Sequence, residues 1–432
     1  MTRSLPRIVG VPGAVLMGLG SILGTGIFVS VGMAAGVTGP SVLLAVALGA
    51  LVATFNGLSS AQLAASHPVS GGSYEYGYRY LSPALGFTAG WMFLCAKSAS
   101  AATAALGFAG YVLSALGWGG SLARLTLALA AVGALTAVVA GGMSRSSRAN
   151  AVIVTTTLLA LAAFVVFGFR GALAGASEHL ASPLQPSHGV PALLQATALM
   201  FVAYTGYGRI ATLGEEIREP SRNIPKAIVT TLLVTMLVYV AVTFVALGHV
   251  GADGLARATR GAVAPLSVVA ARFSRPEAVW LVALGAITAM LGVLLNLLLG
   301  LSRVVLAMAR RGDLPRALGR LAAGHASPRS AVLAVGGFIA LLTLSGSVRA
   351  TWSFSAFSVL VYYALTNLAA LRLPAESRLY PSVVPALGLV SCLGLAFWVE
   401  PRIWLTGLAL IAAGLGWHAL SRRRARAPTA PS

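Results

Sequence analysis

The sequence predicts an all-α polytopic membrane protein of about twelve transmembrane helices, and three observations carry that prediction. Of 432 residues, 57% are apolar and only 9% are charged, against about 45–50% and 25% in a soluble domain. Mean hydropathy is +0.86. Apolar runs long enough to cross a bilayer, about 20 residues each, recur from one end of the chain to the other. So little charge cannot cover a water-facing exterior, which excludes a soluble enzyme. The number of runs excludes a single-pass receptor.

Span 1 covers residues 11–37. It is longer than the 7–15-residue apolar core of a signal peptide, so it is read as a retained helix behind a short N-terminal segment, 1–10. Span 2 covers 40–66 and span 3 covers 83–114, followed by spans 4 and 5 at 123–143 and 148–170. Span 6 lies at 191–214, span 7 at 225–247 and span 8 at 277–309. Spans 9 to 12 occupy 329–347, 350–371, 380–399 and 401–421. The remainder, 422–432, is rich in Arg, Ala and Pro and is expected to be disordered.

The formal charge of +20 comes from 30 Lys and Arg against 10 Asp and Glu. In a soluble protein it would suggest nucleic acid; between spans it reports orientation, because basic residues gather in cytoplasmic loops. Twenty basic residues fall on the side of the N-terminus, eight on the other, and Lys97 and Arg209 lie inside spans. Both termini are therefore expected in the cytoplasm, with the lipid bilayer as partner and no nucleic acid. Cys95 and Cys392 sit in apolar runs and suggest neither a disulfide framework nor a metal site. No phosphate-binding loop and no paired-histidine zinc motif is present.

Two spans are interrupted alike. Span 1 contains Gly20-Ser-Ile-Leu-Gly24-Thr-Gly26, and span 6 contains Tyr204-Thr-Gly206-Tyr-Gly208-Arg. Glycine costs a helix about 1 kcal/mol relative to alanine, so such clusters permit unwinding. Five spans separate the two, as an inverted repeat requires. Close helix packing through small residues is the plainer account of one such cluster; the matched pair favours the repeat.

Four stretches then carry a resemblance. They are Gly18–Gly32 around the first break, the His67–Tyr80 segment HPVSGGSYEYGYRY, Tyr204–Ile228 with EEIREPSRNIPK, and Gly300–Pro315 with SRVVLAMARRGDLP. Together, in this order and spacing, they resemble amino-acid permeases of the amino acid–polyamine–organocation (APC) superfamily. The resemblance implies the LeuT-type fold, a 5+5 inverted repeat with helices 1 and 6 broken. The first repeat would be 11–170 and the second 191–371, with 380–421 holding two further helices. It also implies alternating access around a site between spans 1, 3, 6, 8 and 10.

An α-amino acid needs partners for a carboxylate and an ammonium away from water, and an unwound helix supplies both. By this logic and by the resemblance, the amides of Gly24, Thr25 and Gly26 would hold the carboxylate. The carbonyls of Ile22, Leu23, Tyr204 and Thr205 would hold the ammonium, with Ser21 and Thr25 hydroxyls assisting and Gly206 letting the second break form. Tyr204 and Tyr207 either cap the ligand's side chain or pack as ordinary aromatics.

Lys97 lies deep in span 3, and an ionisable residue there is a functional hypothesis by default. Some family members carry a lysine on span 5 that stands in for a sodium ion; span 5 here offers Thr155, Thr156 and Thr157 instead, and Lys97 is the proton-coupling candidate. Arg209, just past the second break, is a gate or ion-pair candidate, with Glu75 or Glu215 as its partner. Asn296, Ser302 and Trp352 either line the pathway or hold helices together. No cofactor is implied: the proton is the expected coupling ion, and sodium stays open because such sites use carbonyls and hydroxyls. The spans hold no mid-depth Asp or Glu, which favours a small neutral amino acid over a polyamine. The expected function is proton-coupled uptake of such a solute across the cytoplasmic membrane, not catalysis. The alternatives are an uncoupled amino-acid or amine exchanger and a non-transporting receptor.

Overall fold

The computed structural model of the chain describes residues 9–68, 71–142, 147–180, 188–211, 217–320 and 328–426. Among these no strand forms, and one isolated bridge joins Val9 to Ile217. Helix α1 (Val11–Ile22) ends at the first glycine cluster, passes through a π-helical turn at Gly26–Ser30 and resumes as α2 (Val31–Thr38). Gly39, at φ 69°, and Pro40 then turn the chain into α3 (Val42–Ser66). A short helix, α4 (Ser73–Tyr80), precedes the long α5 (Pro83–Ala115). Pro83 opens α5, and the Ser82 hydroxyl accepts from the Leu85 amide at 3.3 Å, a start signal written in the sequence.

The chain continues through α6 (Ser121–Ala140), α7 (Ser147–His179) and α8 (Gly189–Tyr204). A 3-10 turn at Thr205–Tyr207 separates α8 from the single-turn α9 (Gly208–Ala211). Then follow α10 (Pro220–Gly261), α11 (Pro265–Ala270), α12 (Glu277–Arg311), α13 (Arg329–Thr343), α14 (Val348–Leu371), α15 (Val383–Ala396) and α16 (Pro401–Arg426). Nine stretches among the described residues are long and apolar enough to cross a membrane, and α13 and α15 are shorter apolar helices. The first stretch, Val11–Ser66, contains the Gly39–Pro40 turn. The fold is thus all-α and polytopic.

Several boundaries differ from the sequence expectation. Helix α4 was not foreseen, because its apolar face is too short to give a period. Helix α7 continues past Arg170 to His179, and α10 runs past residue 247 to Gly261 through a non-helical Gly251. Helix α16 continues to Arg426 into the segment expected to be disordered, since Arg and Ala are good helix formers and basic residues suit a helix C-terminus.

The two broken segments run in opposite directions. The Arg218 amide donates to Val9 O at 3.0 Å, placing the start of α1 beside the chain that follows α9. The ring of His188, at the start of α8, bonds Val37 O at the far end of α2, 2.9 Å away. These contacts define an N-terminal face and an opposite face. Helices α5 and α14 form the centre, 89% and 78% buried over their apolar windows, whereas α6 and α16 lie outside at 22% and 17%. The outer pair present Leu122, Val138, Leu405 and Leu420 to their surroundings, as a lipid-facing helix does.

Candidate functional site

The two breaks meet. A side chain at Gly206 would overlap the Ser21 carbonyl, and one at Gly26 would lie 2.7 Å from Ala203 Cβ and 2.8 Å from the Tyr239 hydroxyl. The glycines are there so that two backbones can touch. Between them the first ladder ends with the Leu23 amide on Leu19 O, 2.8 Å, and restarts with Ile27 and Phe28 amides on Gly24 O, both 3.1 Å. The Tyr239 hydroxyl, from α10, lies 3.1 Å from Ile22 O and 3.2 Å from Ala203 O, sharing its proton between the breaks. Tyr363 donates to Thr205 O at 3.2 Å. Of the carbonyls expected to face an ammonium, those of Ile22 and Thr205 therefore have hydroxyl donors already, and each keeps a second lone pair.

A chamber of about 40 Å³ sits at this crossing, lined among others by Ser21, Ile22, Thr25, Gly26, Thr205 and Gly206. Val202, Val293, Leu297 and Trp352 give it an apolar side. A larger cavity of about 200 Å³ shares Ser21, Lys97, Thr205, Gly206, Val293 and Leu297, and extends past Asn296 and Tyr363 to Gly71, Tyr74, Arg209, Arg303 and Ala307. Since Tyr74 and Arg303 lie toward the end where α12 closes, the cavity leads to the N-terminal face.

Lys97 lines both spaces. It is 8% exposed, and its ammonium donates to Thr205 Oγ1 at 2.8 Å, linking α5 to the second break. Thr205 Oγ1 in turn donates to Val202 O. The Thr25 hydroxyl is 3% exposed and has no hydrogen-bond partner among the described residues. Ser21 donates to Met17 O within its own helix, and Asn296 reaches Gly20 O at 3.4 Å.

The remaining predicted residues are placed as follows. Tyr204 points away from both spaces: its hydroxyl donates to Val46 O at 3.1 Å and its ring packs on Tyr239. Tyr207 packs its ring on Tyr363, 5.4 Å between centroids. Ser302 bonds Leu299 O of its own helix, while Trp352 lines the chamber and donates to Leu199 O at 3.0 Å. Arg209 lines the larger cavity. Its expected partner Glu75 is instead paired with Arg311 at 2.7 Å, because α4 places Glu75 against the end of α12. Glu215 lies outside the described residues.

Sequence reasoning missed Tyr239 and a polar knot at the cavity mouth. Asp313, 3% exposed, accepts from Tyr74 at 2.7 Å and from Tyr78 at 2.7 and 2.9 Å, and lies 3.1 Å from His418 Nδ1. Its main-chain carbonyl accepts from Trp417 at 2.8 Å, and Arg311 lies over both tyrosine rings. Burial, reinforced by the hydrogen bond to Asp313, pushes both tyrosine hydroxyls above their usual range, so they remain donors. The signal that would have found this knot is the aspartate closing the fourth motif.

Comparison with known proteins gives the same picture. Residues 13–424 match the amino acid permease family. An uncharacterised transporter of Mycobacterium bovis is 39% identical over 98% of this chain and 93% of its own length. A branched-chain amino acid permease of Bacillus subtilis is 28% identical over 90% of this chain and 88% of its own. A methylthioribose transporter of the same organism is 27% identical over 96% and 93%. The match runs across both breaks and every helix around them, and the chain belongs to the amino acid permease family.

Proposed function

We propose that this permease carries a small neutral amino acid across the cytoplasmic membrane by alternating access, coupled to protons through Lys97. The observation that carries this reading is the Lys97–Thr205 bond: an ammonium buried in an apolar helix holds the second break at the point where the first crosses it. The substrate carboxylate sits on the amides of Gly24, Thr25 and Gly26, near the Thr25 hydroxyl. The substrate ammonium takes the second lone pairs of carbonyls at Ile22, Leu23, Tyr204 and Thr205. Val202, Val293 and Leu297 receive the side chain. Lys97 gains and loses its proton as the breaks move, since a buried ammonium with no carboxylate partner among the described residues is expensive to keep. Arg209 stands at the mouth of the cavity as a gate.

With both termini in the cytoplasm, as the charge bias favours, the cavity opens inward. The named activity of the Bacillus branched-chain permease supports an amino acid as cargo. Methylthioribose, the cargo named for another relative, has neither ammonium nor carboxylate and would leave both breaks unused. The test is counterflow: liposomes containing the purified protein, preloaded with one unlabelled solute, are given the labelled solute outside. Counterflow of alanine, serine or valine supports the reading. Counterflow of methylthioribose and of no amino acid overturns it.

A further inference from the structure

We infer that Tyr111 and Trp352 are the ties that hold the site shut toward the opposite face, positioning residues for one half of the transport cycle. The inference rests on the transport reading above and deepens it.

The walls of the 40 Å³ chamber fall into two sets. Ile22, Thr25 and Gly26 of the first break form one wall together with Val202 and Ala203 of α8. Lys97 and Ser100 of α5, Val293 and Leu297 of α12, and Trp352 of α14 form the other. Toward the N-terminal face the larger cavity opens between them, although Lys97 and Tyr363 still reach Thr205 and Asn296 still reaches Gly20 O. Toward the opposite face they are joined.

The bonds on that side are of two kinds. Ser100 pairs with Ser355 at 2.7 Å and Thr103 with Thr351 at 2.8 Å, but these join α5 to α14 within one wall. They survive when the walls part. Trp352 Nε1 to Leu199 O, 3.0 Å, and Tyr111 Oη to Phe28 O, 2.8 Å, run from one wall to the other. Trp352 is 3% exposed and Tyr111 fully buried, and the Phe28 ring meets Tyr111 edge-on at 5.9 Å. The Tyr111 oxygen also accepts from the Leu266 amide at 3.3 Å, drawing α11 onto the same closure.

A path from the chamber to the opposite face requires Leu199 and Phe28 to leave these donors; a path to the N-terminal face does not. The two bonds therefore exist in only one of the two states, which is the condition for an interaction to set their balance. Bonds common to both states shift nothing.

The test uses the full chain in liposomes of known orientation, with apparent KM for a transported amino acid measured from each face. Tyr111→Phe removes one tie and keeps the ring, and Trp352→Phe removes the other. Loss of one such bond raises the population open to the opposite face about fivefold and lowers the KM from that face by the same factor. The KM from the N-terminal face, already the favoured state, stays within error. Thr351→Val, which cuts a bond inside one wall, leaves the ratio of the two KM values unchanged. Variants that transport with an unaltered ratio, or with both KM values moved equally, overturn the inference. A wild-type protein that moves no amino acid overturns the transport reading instead, and the two failures are thereby told apart.

Discussion

Replacing Lys97 by Met keeps the length and apolar stem of the side chain and removes only its charge and its proton. The bond it deletes, 2.8 Å to Thr205, is a charged hydrogen bond, worth about 1.5–3 kcal/mol. Lys97 is the one ionisable side chain lining the deep chamber among the described residues, so nothing there replaces it as a proton carrier. An inward gradient of one pH unit supplies about 1.4 kcal/mol per proton, enough for about tenfold accumulation with one proton per substrate. In sodium-free liposomes the wild-type protein should therefore concentrate its substrate up to that limit. Lys97→Met should equilibrate it, giving an inside-to-outside ratio of one, while still exchanging preloaded substrate. Exchange shows that the variant is folded and its breaks still move. Gradient-driven accumulation at the wild-type ratio in Lys97→Met would refute the coupling argument.

The other expectations concern binding, the crossing and the knot. Thr25→Val removes a buried hydroxyl that has no partner among the described residues, so thermal stability in detergent should hold or rise while KM increases about fivefold through the lost substrate bond. Gly206→Ala drives a methyl into the Ser21 carbonyl; overpacking of about 1–3 kcal/mol should abolish transport and lower the melting temperature together, and a fully active variant would contradict the crossing. Asp313→Ala strips the acceptor from Tyr74 and Tyr78 and should cost about 3 kcal/mol, read as a lower melting temperature, with Asp313→Asn losing clearly less.

What could be read from the sequence was whatever contradicts its own surroundings. Glycine clusters inside apolar runs announce the breaks, and a lysine in FLCAKSAS announces itself. Tyr239 gives no such sign, because a tyrosine in an apolar helix is ordinary until the carbonyls it serves, 217 and 36 residues away, are beside it. The pairing of Asp313 with Tyr74 and Tyr78 was hidden for the same reason, the partners lying 239 and 235 residues away. Nor could hydropathy rank the helices: α6 is more apolar than α5 yet far less buried. Lipid tails and a packed interior are equally apolar, so the membrane erases the inside–outside contrast that burial leaves in a soluble sequence. Of the two carboxylates expected for Arg209, α4 turns Glu75 to Arg311, a turn that no hydropathy period shows, and Glu215 lies outside the described residues.

The most direct measurement of the central claim is uptake of a labelled amino-acid panel by purified protein in sodium-free liposomes, with and without an inward proton gradient. Accumulation of a small neutral amino acid above equilibrium, only when the gradient is present, is the predicted result. Flux of such an amino acid that never exceeds equilibrium, with or without the gradient, would contradict it.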